Sequence, residues 1–494
     1  MKKAAIVGAG IGGIAAAIRL ALKGYLVTVY EANDSFGGKM QEFWLGKYRF
    51  DAGPSLFTLP HLVDELFEMA GRKPQAYFTY TRLNPITHYF WPDGSQLKAY
   101  ADPEDFAREA AQKLGVPEHD VREVLASSKR LYNGTADTFL HKSLHKTGTY
   151  LSADILKALG CLSDLGLGTT MHKANAKKFT DPRFVQLLDR FATYNGSDPY
   201  QAPGTLNIIP HLEHNIGAFY PKGGMYAIAA SLVKLAEELG VEFRYTEAVE
   251  QIVALAGKVM SVKTKHGNYN ADVVVSNMDV VPTYRKLLPD HPAPEKTLAQ
   301  PRSSSALIFY WGISKQFRQL HLHNIFFSED YKAEFEHIFR HKTISPDPTV
   351  YVNVTSKQEA ADAPPGCENW FVMVNVPHNQ GQDWRQLIAA TRASVLKKLS
   401  RMLQTDIEPL IEQEQVLDPL QIERHTSSFA GALYGSSSNN MMAAFLRHPN
   451  FSTQIEGLYF CGGSVHPGGG VPLCLLSARI VGQLVPAVMP IEDI

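Results

Sequence analysis

Cysteine is scarce in this 494-residue chain, and Cys161, Cys367, Cys461 and Cys474 are scattered with no C-x-x-C spacing. That pattern indicates neither a disulfide framework nor a zinc site, and no metal is expected. No stretch approaches the ~18 uncharged apolar residues of a membrane-spanning helix. Neither sign of charge is in excess. With 48 Lys and Arg against 49 Asp and Glu the formal net charge is −1, which argues against a nucleic-acid partner. Repeats and low-complexity segments are lacking, which argues against a solenoid. A strand pattern starts almost at the first residue and leaves no room for a signal peptide, so a cytoplasmic compartment is expected, with contact to one membrane face left open. A chain this long exceeds one ordinary core, so two or three domains are expected.

What is present is concentrated at the start. The apolar run Ala5-Ile6-Val7 leads into Gly8-Ala9-Gly10-Ile11-Gly12-Gly13, an alanine-rich stretch to Leu22, and the alternating strand Val27-Thr28-Val29-Tyr30-Glu31. This is G-x-G-x-x-G in the order strand, turn, helix, strand, acid. Gly8 permits the tight turn, Gly10 lets backbone approach a pyrophosphate, and Gly13 lets helix and strand pack closely. The helix aims its positive end at the phosphates. Glu31 stands 18 residues beyond Gly13, where a carboxylate holds a ribose hydroxyl pair. A dinucleotide site is therefore expected.

Farther along, Thr87 to Trp91 and Gln96 to Tyr100 flank Pro92-Asp93-Gly94 as a hairpin. Asp102-Pro103-Glu104-Asp105 supplies an N-cap, a proline at the first helical position and early acids; Phe106, Ala110 and Leu114 follow at helical spacing up to Gly115. Residues 117 to 190 look mostly helical. A helix carrying Ile228, Leu232 and Leu235 follows Gly223-Gly224, then strands at 249–253, 259–264 and 271–277. Residues 305–313 and 370–376 look like strands of a separate sheet, and Gly457 to Cys461 like a buried strand that leads to a helix over 473–485. The fold class expected is α/β. A discontinuous Rossmann-like cofactor domain would be formed by 1–85, 215–290 and 425–494. A mixed α+β substrate domain would be formed by 86–214 and 291–424.

Two further motifs narrow the cofactor. Phe36-Gly37-Gly38-Lys39 and Phe50-Asp51-Ala52-Gly53-Pro54-Ser55 resemble flavoproteins of the glutathione-reductase-like superfamily, in which the second glycine pair continues an FAD contact; the plainer alternative is a turn between two strands. With Tyr220-Pro221-Lys222-Gly223-Gly224-Met225, Val274-Val275-Ser276-Asn277 and His466-Pro467-Gly468-Gly469-Gly470-Val471-Pro472, nearly the whole chain resembles bacterial carotenoid desaturases of the phytoene desaturase family. Arg190 to Pro203 resembles the branch that acts on 1-hydroxylated carotenoids and inserts a double bond at carbons 3 and 4 beside the tertiary alcohol. The resemblance implies FAD with Gly8, Gly10, Ile11, Gly12, Gly13 and Glu31 at the pyrophosphate and ribose, and with no motif that supplies an obvious histidyl or cysteinyl tether, non-covalent binding is expected. It puts Lys39, Ser55 and Leu56 on the flavin side, Val249, Asn277 and Leu287 toward the adenine end, and Gly463, Gly470 and Val471 at the pyrophosphate and isoalloxazine. A phytoene desaturase, a carotene isomerase or saturase, and a non-catalytic prenyl-binding protein similar to Rab escort proteins remain open.

The implied chemistry is hydride loss from an allylic carbon with proton loss from its neighbour, and no residue is required as a strong base. His466 is a candidate base or a shape residue of its turn. His321-Leu322-His323 has chelate spacing without a third ligand and reads as loop or surface histidines. His211, Glu213 and His214 read as a solvated helix face. The ring-bearing residues Phe191, Tyr194 and Tyr200, with Asn195, Ser197 and Asp198, suit an apolar tunnel that is polar near one end. The expected partners are a membrane-dissolved carotenoid and an electron acceptor, oxygen or a quinone. Membrane contact on the inner face of the cell membrane is expected from the mixed leucine and lysine segment Phe139 to Lys178, for which a helical pair packed on the core is the alternative.

Overall fold

The computed structural model describes residues 1–150, 166, 168–439 and 446–488. Its centre is a five-stranded parallel sheet. The N-terminal strand β1 (Lys3–Val7) is followed by helix α1 (Ile11–Leu22) and strand β2 (Leu26–Tyr30); helix α2 (Tyr226–Glu238) leads to β3 (Glu242–Arg244), then β4 (Val273–Ser276), and near the C-terminus β5 (Leu458–Phe460) leads to α3 (Val471–Leu484). The spatial order is β5-β4-β1-β2-β3. β1 pairs in parallel with β2 on one side (Val7 opposite Tyr30) and β4 on the other (Val7 opposite Ser276). The order reverses beside β1, and the carboxyl ends of β1 and β4 therefore open a crevice at a topological switch point.

Local sequence explains the tight packing on this sheet. α1 reads IGGIAAAIRLAL, and its small residues let it lie close to the strands while α2 and α3 pack along it. Ile14, Ala15, Ala17, Ile18 and Leu20 are fully enclosed, with Ile228, Leu232 and Leu235 of α2 and Leu476, Ala478 and Val481 of α3 in the same core. The expected segments thus meet: strand 458–460 lies two places from β1, and α3 lies against α1.

A second, three-stranded antiparallel sheet comprises Val249–Leu255, Lys258–Thr264 and Gly267–Asn270. The third of these is short and polar, with no apolar alternation to announce it. A seven-stranded sheet runs in the order Ile411–Leu417, Ser305–Ile313, Glu368–Val376, Val350–Asn353, His323–Phe326, Thr87–Phe90, Gln96–Ala99. The expected hairpin forms its edge, and Thr87–Phe90 joins the rest by parallel pairing with His323–Phe326. Ser305–Ile313 is buried on both faces. Helix Trp384–Leu403 helps cover one of them, and Tyr48 and Phe50 cover the other. The helix after the hairpin starts as its cap residues require: Asp102 accepts from the amides of Glu104 and Asp105, and Gly115 ends it at φ +71.

Helices span Glu118–Phe139, Met171–Lys178 and Pro182–Asp189. Leu151, Ile155, Leu156, Lys157, Leu159, Leu162 and Leu165 of the expected membrane-facing segment lie outside the described residues. No described helix is long and apolar enough to cross a membrane.

Candidate functional site

A cavity of about 1100 Å³ opens at the carboxyl ends of β1 and β4. It gathers residues that are distant in sequence: Gly8, Gly10, Ile11, Gly12, Glu31, Lys39, Ser55, Leu56, Val249, Asn277, Leu287, Gly463, Gly470 and Val471 all line it. Gly13 alone among the expected cofactor residues stands behind the wall. A Cβ there would lie 2.1 Å from the Gly8 carbonyl oxygen, so its role is the close approach of α1 to β1.

The polar end is a cradle built from backbone. Gly8, at φ +95, turns the chain out of β1 while its amide donates to the Tyr30 carbonyl at 2.8 Å. The Asn277 side chain is wedged against this turn, close enough that a Cβ on Gly10 would meet its Nδ2 at 2.6 Å. The second glycine pair packs on the first: the Gly37 amide donates to the Ala9 carbonyl at 2.8 Å, and Gly38 lies against Gly10. Glu31 is buried. Its carboxylate accepts from the Ala9 amide at 2.7 Å and from the Asn33 amide and side chain at 2.9 Å each, which fixes its orientation and leaves room for a further donor. Lys39 Nζ donates to the Leu433 carbonyl at 2.8 Å.

Two helices begin at this cavity with no side chain capping them and no acid in the first turn: α1 behind Gly10 and α3 behind Gly470. Their first amides lack intrahelical acceptors and carry the positive end of the helix dipole. Free amides at two helix N-termini, side chains excluded by glycine, and one oriented carboxylate form a donor set that fits a dinucleotide with its pyrophosphate and a ribose diol. Glu31→Ala is expected to weaken binding of the dinucleotide by ~1–3 kcal/mol. Titration of stripped protein with the cofactor measures it, and an unchanged dissociation constant would place Glu31 off the ribose.

The rest of the cavity is lined mainly by apolar side chains, among them Leu131, Leu206, Ile209, Leu212, Ile325 and Phe371. Tyrosines and a few buried polar groups interrupt this wall. Arg190 is enclosed by the rings of Tyr89, Phe191 and Tyr194, with its guanidinium 4.8 to 5.3 Å from their centres. It donates to the hydroxyls of Tyr89 at 2.8 Å and Tyr194 at 3.1 Å and pairs with Glu213 at 3.4 Å; the Tyr194 hydroxyl also donates to Glu213. Nearby, Tyr351 joins Ser55 Oγ (2.8 Å) to His323 Nδ1 (2.7 Å).

Several sequence expectations change here. His211, Glu213 and His214 form no solvated face; all three are buried, because the turn His211–Ile216 is packed between helix Glu118–Phe139 and the Arg190 cluster. His323 is no surface residue but a strand residue in the seven-stranded sheet. Arg190, Thr193, Tyr194 and Asn195 line the cavity, while Ser197 and Asp198 spend their hydrogen bonds on neighbours: Asp198 accepts from the Tyr200 amide, and Ser197 Oγ donates to the Asn195 carbonyl. His466 lines the cavity with its ring nitrogen Nε2 3.0 Å from the Lys142 carbonyl, which favours a structural part in its turn. Tyr351 and Tyr331 also line the wall and were not singled out from the sequence. Alternation in Val350-Tyr351-Val352-Asn353 was an available signal: the valines enter the core and Tyr351 faces the other way.

Burial holds many imidazoles neutral, pushing His88, His211, His214, His323, His378, His448 and His466 down from 6.5 to about 4. The unfolded chain takes up protons on these rings below pH 6.5, and the folded chain does so only near 4. Stability is therefore expected to be complete above pH 6.5 and to fall as pH drops toward 4. Thermal unfolding across that range measures it, and a constant midpoint would refute it.

Comparison with known proteins agrees with this geometry. Residues 11–485 match the family of flavin containing amine oxidoreductases. The chain is 54% identical over 486 residues to the 1-hydroxycarotenoid 3,4-desaturase of Flavobacterium sp. (strain P99-3), covering 98% of this chain and 99% of that one. It is 36% identical to the 4,4'-diapolycopene oxygenase of Methylomonas sp, with 96% of each chain covered. A crystal structure of an oxidoreductase from Methanosarcina mazei shares the fold with a TM-score of 0.65 at 15% identity, covering 97% of this chain and 100% of that one.

Proposed function

The chain belongs to the flavin containing amine oxidoreductase family, and from that premise we propose that it is an FAD-dependent carotenoid desaturase that inserts a C-3,4 double bond into an acyclic end group bearing a 1-hydroxyl. The carrying observation is likeness to the Flavobacterium 1-hydroxycarotenoid 3,4-desaturase along nearly the entire length. The cavity supports it with a dinucleotide cradle at one end and an apolar, polar-tipped chamber in the same space.

In this reading the cradle residues lining the cavity hold FAD, with Gly13 acting through the packing of α1, and residues 1–85, 215–290 and 425–494 make up the cofactor domain, with 86–214 and 291–424 supplying the substrate domain. FAD, when bound, supplies the acceptor for the hydride lost by the allylic carbon while the neighbouring carbon loses a proton. The protein's own part is arrangement. The start of α3 favours negative charge at the adjacent wall. Apolar walls keep the polyene dry and extended. The buried histidines, neutral at physiological pH, add no charge to oppose a developing carbocation.

Reoxidation by oxygen or a quinone, and peripheral contact with the inner face of the cell membrane, complete the proposal. The latter is supported by a bilayer-dissolved substrate and by the exposed Lys173, Lys177 and Lys178 on one short helix. The test is to incubate FAD-loaded protein with 1-hydroxylated and non-hydroxylated acyclic carotenoids and follow lengthening of the polyene by absorption. Conversion of phytoene to lycopene with no turnover of a 1-hydroxycarotenoid would overturn the reading.

A further inference from the structure

Tyr434 lines the cavity at a point where neither the cradle nor the apolar wall accounts for a phenol. Its backbone is tied on both sides: the amide donates to Ser303 Oγ at 3.0 Å, and the carbonyl accepts from the Arg447 guanidinium at 2.7 Å. Its ring is held as well. A Cβ on Gly196 would meet Tyr434 Cδ2 at 2.7 Å, and a Cβ on Gly469 would meet Cδ1 at 2.8 Å, so each edge of the ring is flanked at a distance that only glycine allows.

What this fixed ring carries is an unspent hydroxyl. In the same cavity the hydroxyls of Tyr194, Tyr310 and Tyr351 are engaged by Glu213, the Ala52 carbonyl and the Ser55 and His323 side chains. That of Tyr434 has no partner among the described residues. Nor is it shut inside the wall, as the unpaired Nε2 of His323 and Oγ1 of Thr205 are. Burial pushes the phenol up to about 12, which keeps it protonated and neutral. The side chain is nevertheless only half-buried, and for a residue this deep in the protein the open surface belongs to the cavity it lines. An apolar chamber with an oriented, unspent donor suits a ligand that is apolar but for one polar group.

Resting on the desaturase reading above, we infer that Tyr434 recognises the terminal alcohol of the substrate, donating its O–H to the 1-hydroxyl oxygen. Place and chemistry agree. The hydroxyl oxygen is three bonds from carbon 3, so its anchor must stand close to the cofactor, and Tyr434 abuts Gly469 in the turn that opens α3. Across the ring, Gly196 continues the segment whose Thr193, Tyr194 and Asn195 line the chamber. A phenol is a better donor than an aliphatic alcohol, so the substrate oxygen takes the part of acceptor. It is also too weak an acid to protonate a tertiary alcohol, which would respond by losing water.

The experiment measures dissociation constants of a 1-hydroxylated acyclic carotenoid and of lycopene, from the absorption shift of the bound polyene, in the FAD-loaded native protein, Tyr434→Phe and Tyr331→Phe. Tyr331 is the comparison because its hydroxyl also lacks a partner among the described residues, while its ring packs edge-on against Phe327 and Phe335. Flavin absorbance reports folding. Preference for the hydroxylated ligand is expected to fall about 3- to 10-fold in Tyr434→Phe, as for loss of one buried hydrogen bond, and to stay near the native value in Tyr331→Phe. Should Tyr434→Phe fail to retain FAD, Tyr434→Met reads the same preference. An undiminished preference without the Tyr434 hydroxyl, or an equal fall in Tyr331→Phe, overturns this inference. So does a native protein that desaturates the 1-hydroxycarotenoid yet binds both ligands equally, and in each of these cases the desaturase reading stands. A native protein that turns over no 1-hydroxycarotenoid sinks both.

Discussion

Glu213→Leu is expected to cost ~3–5 kcal/mol of folding stability, because it strands the Arg190 guanidinium inside the protein. Both partners are buried, and among the described residues Arg190 has two tyrosine hydroxyls as its other acceptors. The double variant Arg190→Met with Glu213→Leu should recover most of that loss, since the desolvation of two ions disappears together with their attraction. Urea unfolding of the native, single and double variants measures the cycle, and a double variant as unstable as the single would show that Arg190 is satisfied without its carboxylate. The pair also has a pH signature. Burial raises the Glu213 carboxyl, but Arg190, with His214 and Tyr194, outweighs it and holds the group below its ordinary value. A depressed folded value means that the carboxylate contributes stability above the ordinary range of the group and loses it as pH falls through and below that range.

The second large effect lies at Gly13. Gly13→Ala is expected to cost ~1–3 kcal/mol and to strip the protein of FAD. The added carbon would sit 2.1 Å from the Gly8 carbonyl and 3.2 Å from Asn277 Cβ, and the first of these is backbone at the end of β1 that cannot swing away. Relief requires α1 to retreat from the sheet. That moves the free amides at its start, which the proposed cradle offers to the phosphates, so cofactor loss should accompany destabilisation. Flavin content after gel filtration and the thermal midpoint measure the two together. Full FAD occupancy with an unchanged midpoint would mean that α1 tolerates the shift.

How much of this was legible beforehand follows from what each feature depends on. The cradle from Gly8 to Glu31 was readable because its demands are local: a tight turn, a helix start and an acid at fixed spacing. The strand Ser305–Ile313 was readable from its unbroken apolar run, and the helix after Asp102 from its capping residues. Glu213 and the histidines beside it were misread because a polar run on a short turn looks solvated until the ring cluster of Tyr89, Phe191 and Tyr194 folds over it, and those rings arrive from other elements. His323 was misread for the same reason; its partner Tyr351 is a strand neighbour 28 positions away. Asn277 was placed correctly at a strand end, yet its wedge against the glycine turn depends on β4 lying next to β1, which spacing does not announce.

That adjacency bears on how the protein is made. β1 finds β2 within its own first thirty residues, but its other edge waits for Val273–Ser276, and β4 in turn waits for Leu458–Phe460. The cradle closes only when Gly463 and α3 arrive behind them. A ribosome therefore releases more than 450 residues before this motif can grip anything, and through that interval the alanine-rich α1 lacks α3 as a sheltering partner. Nascent chains halted before residue 458 should emerge colourless and engage chaperones, and loading of the yellow cofactor should follow the arrival of β5 and α3.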